Sequence, residues 1–126
     1  MSDGKLLIND FFDAANREGM GALRQFATDD MEFWAPGVGD LTMEQYLSLV
    51  ESIVPMLAAP LKFTIHDVLL DGDRIAAEVE SYAPLKNGKV YNNKYHFKVL
   101  LRGSKIAQIR EYADTKHLAE VFDLQG

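Results

Sequence analysis

The change of pattern at Pro60 constrains this chain more than any other feature. Ahead of it apolar residues recur at helical spacing, and beyond it they alternate with polar ones. A period near 3.6 buries one stripe of a helix and a period of two buries one face of a strand, so a helical first part and a sheet-forming second part follow. Four strands are predicted after Pro60, over 62–70, 74–83, 90–102 and 105–113. They are separated by Asp71-Gly72-Asp73, Asn87-Gly88 and Gly103-Ser104. Gly and Asn accept the positive φ of tight turns, and these separators therefore predict hairpins in a meander of long strands. In the 90–102 strand, Tyr91, Asn93, Tyr95, Phe97, Val99 and Leu101 share one face, while Asn92, Lys94, His96, Lys98 and Arg102 mostly share the other. The first face belongs to the core and the second is wet or covered by a partner.

Upstream, Leu7, Phe11, Ala14 and Ala15 mark a first helix over 6–17, stopped by Gly19 and Gly21, and a short second helix is expected over 22–27. After the acidic turn Thr28-Asp29-Asp30, the run Met31-Glu32-Phe33-Trp34 reads as a strand cut off by Pro36 and Gly37. Thr42 with Gln45 three places on has the form of a capping box, ahead of the stripe Tyr46, Leu49, Val50 and Ile53. A third helix over 43–58, bent at Pro55 and closed by Pro60, is expected, with a last short helix over 115–122 capped by Asp114. With 126 residues and no linker, repeat or low-complexity stretch, residues 1–126 make one α+β domain around one core, the N-terminal helices packed on a curved antiparallel sheet.

Charge and composition remove several functions. A net charge of -6 and a pI near 4.9 leave no basic surface to neutralise a phosphate backbone, so no nucleic-acid partner is expected. Cysteine is absent, which removes disulfides, thiolate metal sites and thiol nucleophiles, and fits a cytoplasmic setting. The apolar residues near the N-terminus are interrupted by Asn9, Asp10 and Asp13, and no run approaches a membrane span; neither export by a signal peptide nor a membrane partner is expected. His66, His96 and His117 fall in different elements without ligand spacing, so no metal site is expected. Gly19-Met20-Gly21 follows a helix and lacks the lysine of a phosphate loop, there is no Ser-His-Asp signature, and no cofactor is implied.

The order of these parts carries a resemblance. Helices come first, then Asp29-Asp30 ahead of a short strand ending Trp34-Ala35-Pro36-Gly37, and then the meander closing on Ile109-Arg110-Glu111-Tyr112-Ala113-Asp114-Thr115. With Tyr91-Asn92-Asn93-Lys94-Tyr95, this arrangement resembles the SnoaL-like branch of the nuclear transport factor 2-like superfamily over almost the whole chain. The resemblance implies a cone-shaped fold with a pocket between sheet and helices, usually dimeric. Its members include polyketide cyclases, ketosteroid isomerases and limonene-type epoxide hydrolases.

The chemistry must then be chosen residue by residue. Where the isomerases place an oxyanion-holding tyrosine and a proton-moving aspartate, this chain has Phe12 and Ala35, which exchange no proton. Against the epoxide hydrolases, Val79 and Ser81 stand at the Arg and Asp, and Glu32 and Trp34 at the Tyr and Asn; only the last-strand acid, Glu111, survives. The cyclase-like members rely on a single acid in the pocket, and the resemblance puts Glu111 in that part. It shares a face with Ile109 and Ala113. Asn93 and Tyr95 are the residues expected to orient a carbonyl. Trp34, Tyr46, Met56, Phe63, Val79, Phe97 and Ile109 are expected as walls for a small apolar ligand, and His66 joins them if the first long strand turns that face inward. Two functions remain, an acid–base enzyme without cofactor and a non-catalytic binder or carrier. A third reading makes the sheet's outer face the functional part, pairing with itself as a homodimer, which is the expected case, or with another protein.

Overall fold

The computed structural model describes residues 3–123. Its first helix, α1, spans Asp3–Glu18 and buries Ile8, Phe11, Phe12, Ala14 and Ala15. It stops where Gly19 takes φ 91°, a conformation that costs a residue with a Cβ but not glycine. A single tight turn, Met20–Ala22, leads into the one-turn helix α2, Leu23–Phe26, which passes directly into strand β1, Ala27–Ala35. The strand is longer than Met31-Glu32-Phe33-Trp34 suggested, because an irregularity between Ala27 and Glu32 absorbs the acidic turn residues.

Gly37 and Gly39, at φ 79° and 82°, turn the chain into β2, Gly39–Thr42, a strand too short for its pattern to be seen in advance. Helix α3, Met43–Ile53, opens on the expected capping box: the Gln45 amide donates to Thr42 Oγ1 at 3.1 Å and the Thr42 amide to Gln45 Oε1 at 2.9 Å. It ends five residues before the expected boundary. Pro55 has no amide hydrogen to continue the ladder, and Val54–Met56 tightens into one turn before the chain becomes extended at Leu57.

The meander follows as β3 (Lys62–Asp71), β4 (Arg74–Pro84), β5 (Val90–Tyr91), β6 (Lys94–Arg102) and β7 (Lys105–Ala113), and α4 (Thr115–Val121) closes the described chain. The strand expected over 90–102 is split. Asn93 takes over the local backbone bonding: its Oδ1 accepts from the amides of Lys94 at 2.8 Å and Asp114 at 3.0 Å.

The sheet runs β2-β1-β7-β6-β4-β3, with β5 beside β4. One expectation is corrected here. The sheet is mixed, not antiparallel, because β1 pairs with β7 in parallel, Phe33 beside Ile109 and Trp34 beside Arg110. Alternation within a strand carries no information about its partner's direction, and the long connection between these two strands permits the parallel crossing. Among the described residues the result is four helices against a strongly curled sheet. The core lies on its inner face, where Met31, Phe33, Ile75, Ala77, Phe97, Val99 and Ile106 meet Ile8 and Phe12 of α1 and Leu47 of α3. A smaller cluster of Leu85, Tyr91, Val121 and Phe122 holds α4.

Candidate functional site

The helices do not fill the concavity of the sheet. Between them lies a cavity of about 260 Å³, walled by Phe11 and Phe12 from α1, Phe33 from β1, Tyr46 and Val50 from α3, Tyr95 and Phe97 from β6, and Ile109 and Glu111 from β7. A second hollow, of about 500 Å³, shares Met20, Val50, Ile53, Leu61 and Phe63 with the first and reaches Asn16, Arg17 and Lys62. The first cavity is almost wholly hydrocarbon and aromatic, and Glu111 is the one acid on its wall.

Period two along β7 brings Glu111 inward. Ile109 and Glu111 pair with Val99 and Phe97 of β6, while Arg110 and Tyr112 turn to the outer face. The surface that Glu111 retains opens onto the cavity, so the side chain is surrounded by protein while its carboxyl stays reachable. Loss of solvation pushes its pKa up from 4.5 to about 7, and among the described residues no hydrogen bond or cation holds the charge.

Four polar groups tie the wall beside it together. The Tyr91 and Tyr95 hydroxyls meet at 2.7 Å, and Ser81 Oγ lies 2.9 Å from the Tyr95 hydroxyl. Asn93 Nδ2 donates to the Tyr91 hydroxyl at 3.0 Å and to the Asp114 carbonyl at 3.1 Å. Burial raises the pKa of Tyr95 well above its ordinary value, and that of Tyr91 less. Tyr46, its ring stacked on Phe33 with centroids 3.9 Å apart, is also raised well above it, by burial first and then by the negative charge of Glu111.

The structure gathers Tyr46, Phe63, Tyr95, Phe97, Ile109 and Glu111 around one space. It does not bring the other expected residues there. Trp34 is corrected to the outer face, where the Arg110 guanidinium lies 4.0 Å from its ring centroid and the Tyr112 ring 5.4 Å away. Period two in β1 puts Trp34 with Glu32 and leaves Met31, Phe33 and Ala35 inside. Met56 is corrected to an exposed position, since the turn after Pro55 carries it off the α3 stripe. Val79 faces inward but is packed over, paired with Ile65 and Tyr95, and does not border the cavity. Asn93 is fully buried, and its amide makes bonds at both ends, which leaves it nothing to offer a ligand.

His66 points outward and pairs with Glu80 at 2.8 Å. Asn92 first, then His66 and Lys94, lower the Glu80 carboxyl to about 2. His96 is exposed, as its neighbours Lys94 and Lys98 implied. His117 Nε2 accepts from the Asn92 amide at 3.0 Å, and its ring stacks on Tyr91. Among the described residues no three acidic or histidine side chains group as a metal site, and no helix is long and apolar enough to cross a membrane. Phe33 and Tyr91 are wall residues that the sequence reading did not assign. Both were within reach of the alternation rule, counted from Glu32 in β1 and from Phe97 in β6.

A curled sheet, a lid of helices and one acid in an apolar hollow define a class of small cone-shaped α+β proteins with an interior site. Within that class the chain belongs to the SnoaL-like domain family, whose model matches residues 8–109. No protein of curated function matches it. Among solved structures it is similar to AclR from Streptomyces galilaeus, a candidate hydroxylase, at 13% identity and TM-score 0.84, covering 100% of this chain and 99% of that one. It is similar also to a candidate SnoaL-like polyketide cyclase from Jannaschia sp. CCS1, at 12% identity and TM-score 0.80, covering 99% and 94%. PrhC from Penicillium brasilianum NBRC 6234 matches at 16% identity and TM-score 0.86, covering 97% and 87%. Likeness at these identities establishes the shared fold.

Proposed function

We propose that this chain is an acid–base enzyme working without a cofactor on an apolar, cyclic, carbonyl-bearing compound, with Glu111 as the group that moves the proton. The observation that carries this reading is a carboxyl with no internal partner, facing an apolar cavity and held at a pKa of about 7. A general acid–base group serves best when its pKa lies near the working pH, since it can then both take and return a proton. In the reaction the Glu111 carboxylate removes the proton from the carbon next to the carbonyl. The C–H electron pair moves into the enolate, and the neutral carboxyl returns the proton to the same or another carbon. The apolar walls exclude water, which would otherwise quench the enolate. The candidate polyketide cyclase among the similar structures suits this chemistry, as polyketide carbons beside carbonyls are acidic.

A second reading, a carrier of an apolar molecule, is favoured by the walls themselves, which apart from Glu111 and the tyrosine hydroxyls offer only hydrocarbon and aromatic surface. Proton exchange at the carbon beside the carbonyl of α-tetralone, followed by NMR in heavy water, separates the two. An enzyme accelerates exchange above the buffer rate, with a dependence on pH that rises through about 7 as Glu111 ionises. Glu111→Gln then lowers the rate by roughly a hundredfold or more while α-tetralone binding stays within about twofold. Binding without any acceleration decides for the carrier, and acceleration unchanged in Glu111→Gln removes Glu111 from the chemistry.

A further inference from the structure

Buried polar groups in folded proteins nearly always find a hydrogen-bond partner, and those that do not call for an explanation. The tyrosines of this cavity divide sharply by that test. Tyr91 and Tyr95 satisfy each other at 2.7 Å and are flanked by Asn93 and Ser81. Tyr46 is as buried as Tyr95, each 8% exposed, yet its hydroxyl bonds to no described residue; unlike Thr28 Oγ1, the one fully buried side-chain polar atom without a partner among the described residues, it keeps accessible surface, and its side chain lines the cavity. Glu111 is in the same position, and its charge is near enough to raise the Tyr46 phenol. Two polar groups lining one apolar cavity, one from α3 and one from β7, therefore have no hydrogen-bond partner among the described residues. One is a phenol that can only donate its single proton or accept into its lone pairs, and the other is a carboxyl poised between its charged and neutral forms.

We infer that Tyr46 is the donor that receives the ligand's carbonyl oxygen, so that the site selects compounds whose acceptor oxygen stands next to an acidic C–H bond. This rests on the proton-moving role of Glu111 and specifies its substrate class as an enolisable cyclic ketone. When Glu111 takes the proton from that carbon, negative charge collects on the carbonyl oxygen, and the Tyr46 O–H strengthens its bond to it without being transferred. The raised acidity threshold of Tyr46 suits the part: the phenol keeps its proton throughout the range in which Glu111 titrates. Stacking on Phe33 and the first turns of α3 hold the ring in place before a ligand arrives, which lowers the entropic cost of binding. Phe12, on α1, supplies no hydroxyl, and the Tyr91 and Tyr95 hydroxyls are bonded to each other and to Asn93 and Ser81, so among the described residues on the cavity wall Tyr46 carries the hydroxyl with no protein partner.

The test uses the full chain, with α-tetralone and tetralin, its counterpart without the oxygen, as probes. In Tyr46→Phe the ring and its stacking on Phe33 remain, and an unchanged tetralin affinity certifies an intact cavity. The carbonyl infrared band of bound ¹³C-labelled α-tetralone is expected to shift to lower frequency in the wild type and to lose that shift in Tyr46→Phe. Affinity for α-tetralone then falls about five- to tenfold, the scale of one net hydrogen bond, while tetralin stays within twofold. A carbonyl shift that persists in Tyr46→Phe, or wild-type affinities that do not distinguish the two probes, overturns the assignment. Glu111→Gln separates this result from the proton-moving reading. If it keeps the carbonyl shift while the wild type accelerates no exchange, the donor stands and the catalytic reading fails. If exchange depends on Glu111 but the shift ignores Tyr46, the reverse holds.

Discussion

Taking the Glu111 carboxyl out of water makes its charge a cost to the fold, and the sign of that cost is testable. Its folded pKa, about 7, lies above its ordinary 4.5, so the folded state binds the proton more tightly than the unfolded state does. Below about pH 4.5 the group is protonated in both states and no penalty exists. Between 4.5 and 7 the unfolded chain ionises first, and stability falls; above 7 the penalty is complete, on the order of 3 kcal/mol. Urea unfolding at pH 5 and pH 8 is therefore expected to show Glu111→Gln gaining on the wild type as pH rises, and equal differences at the two pH values would contradict the burial account. Residue by residue, Glu111 was legible because Ile109 and Ala113 share its parity and the family resemblance placed an acid there. Trp34 was misread for an instructive reason: aromatic mass suggested a wall, although the acid two places before it already marked an outward face. The unsatisfied state of Tyr46 had no signature in sequence, because it depends on which hydroxyls lie within 3 Å in space.

Elements were legible where a backbone requirement singles out a residue type. The turns at Gly72, Gly88 and Gly103 take φ of 61°, 88° and 63°, and the strands they separate fall within a residue or so of expectation except at Asn92-Asn93. The break at those asparagines was hidden because Tyr91 and Tyr95 keep the alternation going across it. Helix α4 begins as a polar cap predicts, with Asp114 Oδ1 accepting from the His117 amide at 3.0 Å. Asp114→Ala is expected to cost about 1 kcal/mol in chemical unfolding and to leave α-tetralone affinity unchanged. A lost affinity at unchanged stability would give Asp114 a part in the site instead. The same substitution leaves the Asp114 backbone in place, and with it the two bonds to Asn93 that join β6 to the end of β7.

On the scale of the molecule, the sheet has two unlike faces. The inner one closes on the cavity; the outer one carries the Trp34, Arg110 and Tyr112 stack, the His66–Glu80–Lys94 group, and exposed Leu69, Tyr82 and Leu100. That mixture of aromatic, aliphatic and charged groups suits a second copy of the chain, and light scattering at micromolar concentration is expected to give about twice the 14.1 kDa of one chain. A single-chain mass would remove the outer face from consideration as an interface. Sequence pattern told inside from outside and its turns named the hairpin neighbours, but nothing in it paired β1 with β7, and so that parallel seam came only with the structure. That seam has a kinetic meaning. Every other strand pair in the sheet joins stretches close along the chain and can form early, whereas β1 must wait for a partner on the far side of the entire meander. Glu111, the group proposed to move the proton, stands on β7 beside that late-closing seam. A chain that has collapsed but not yet closed the seam holds most of its secondary structure and no cavity wall at Glu111, so activity should return after bulk refolding and at a slower rate.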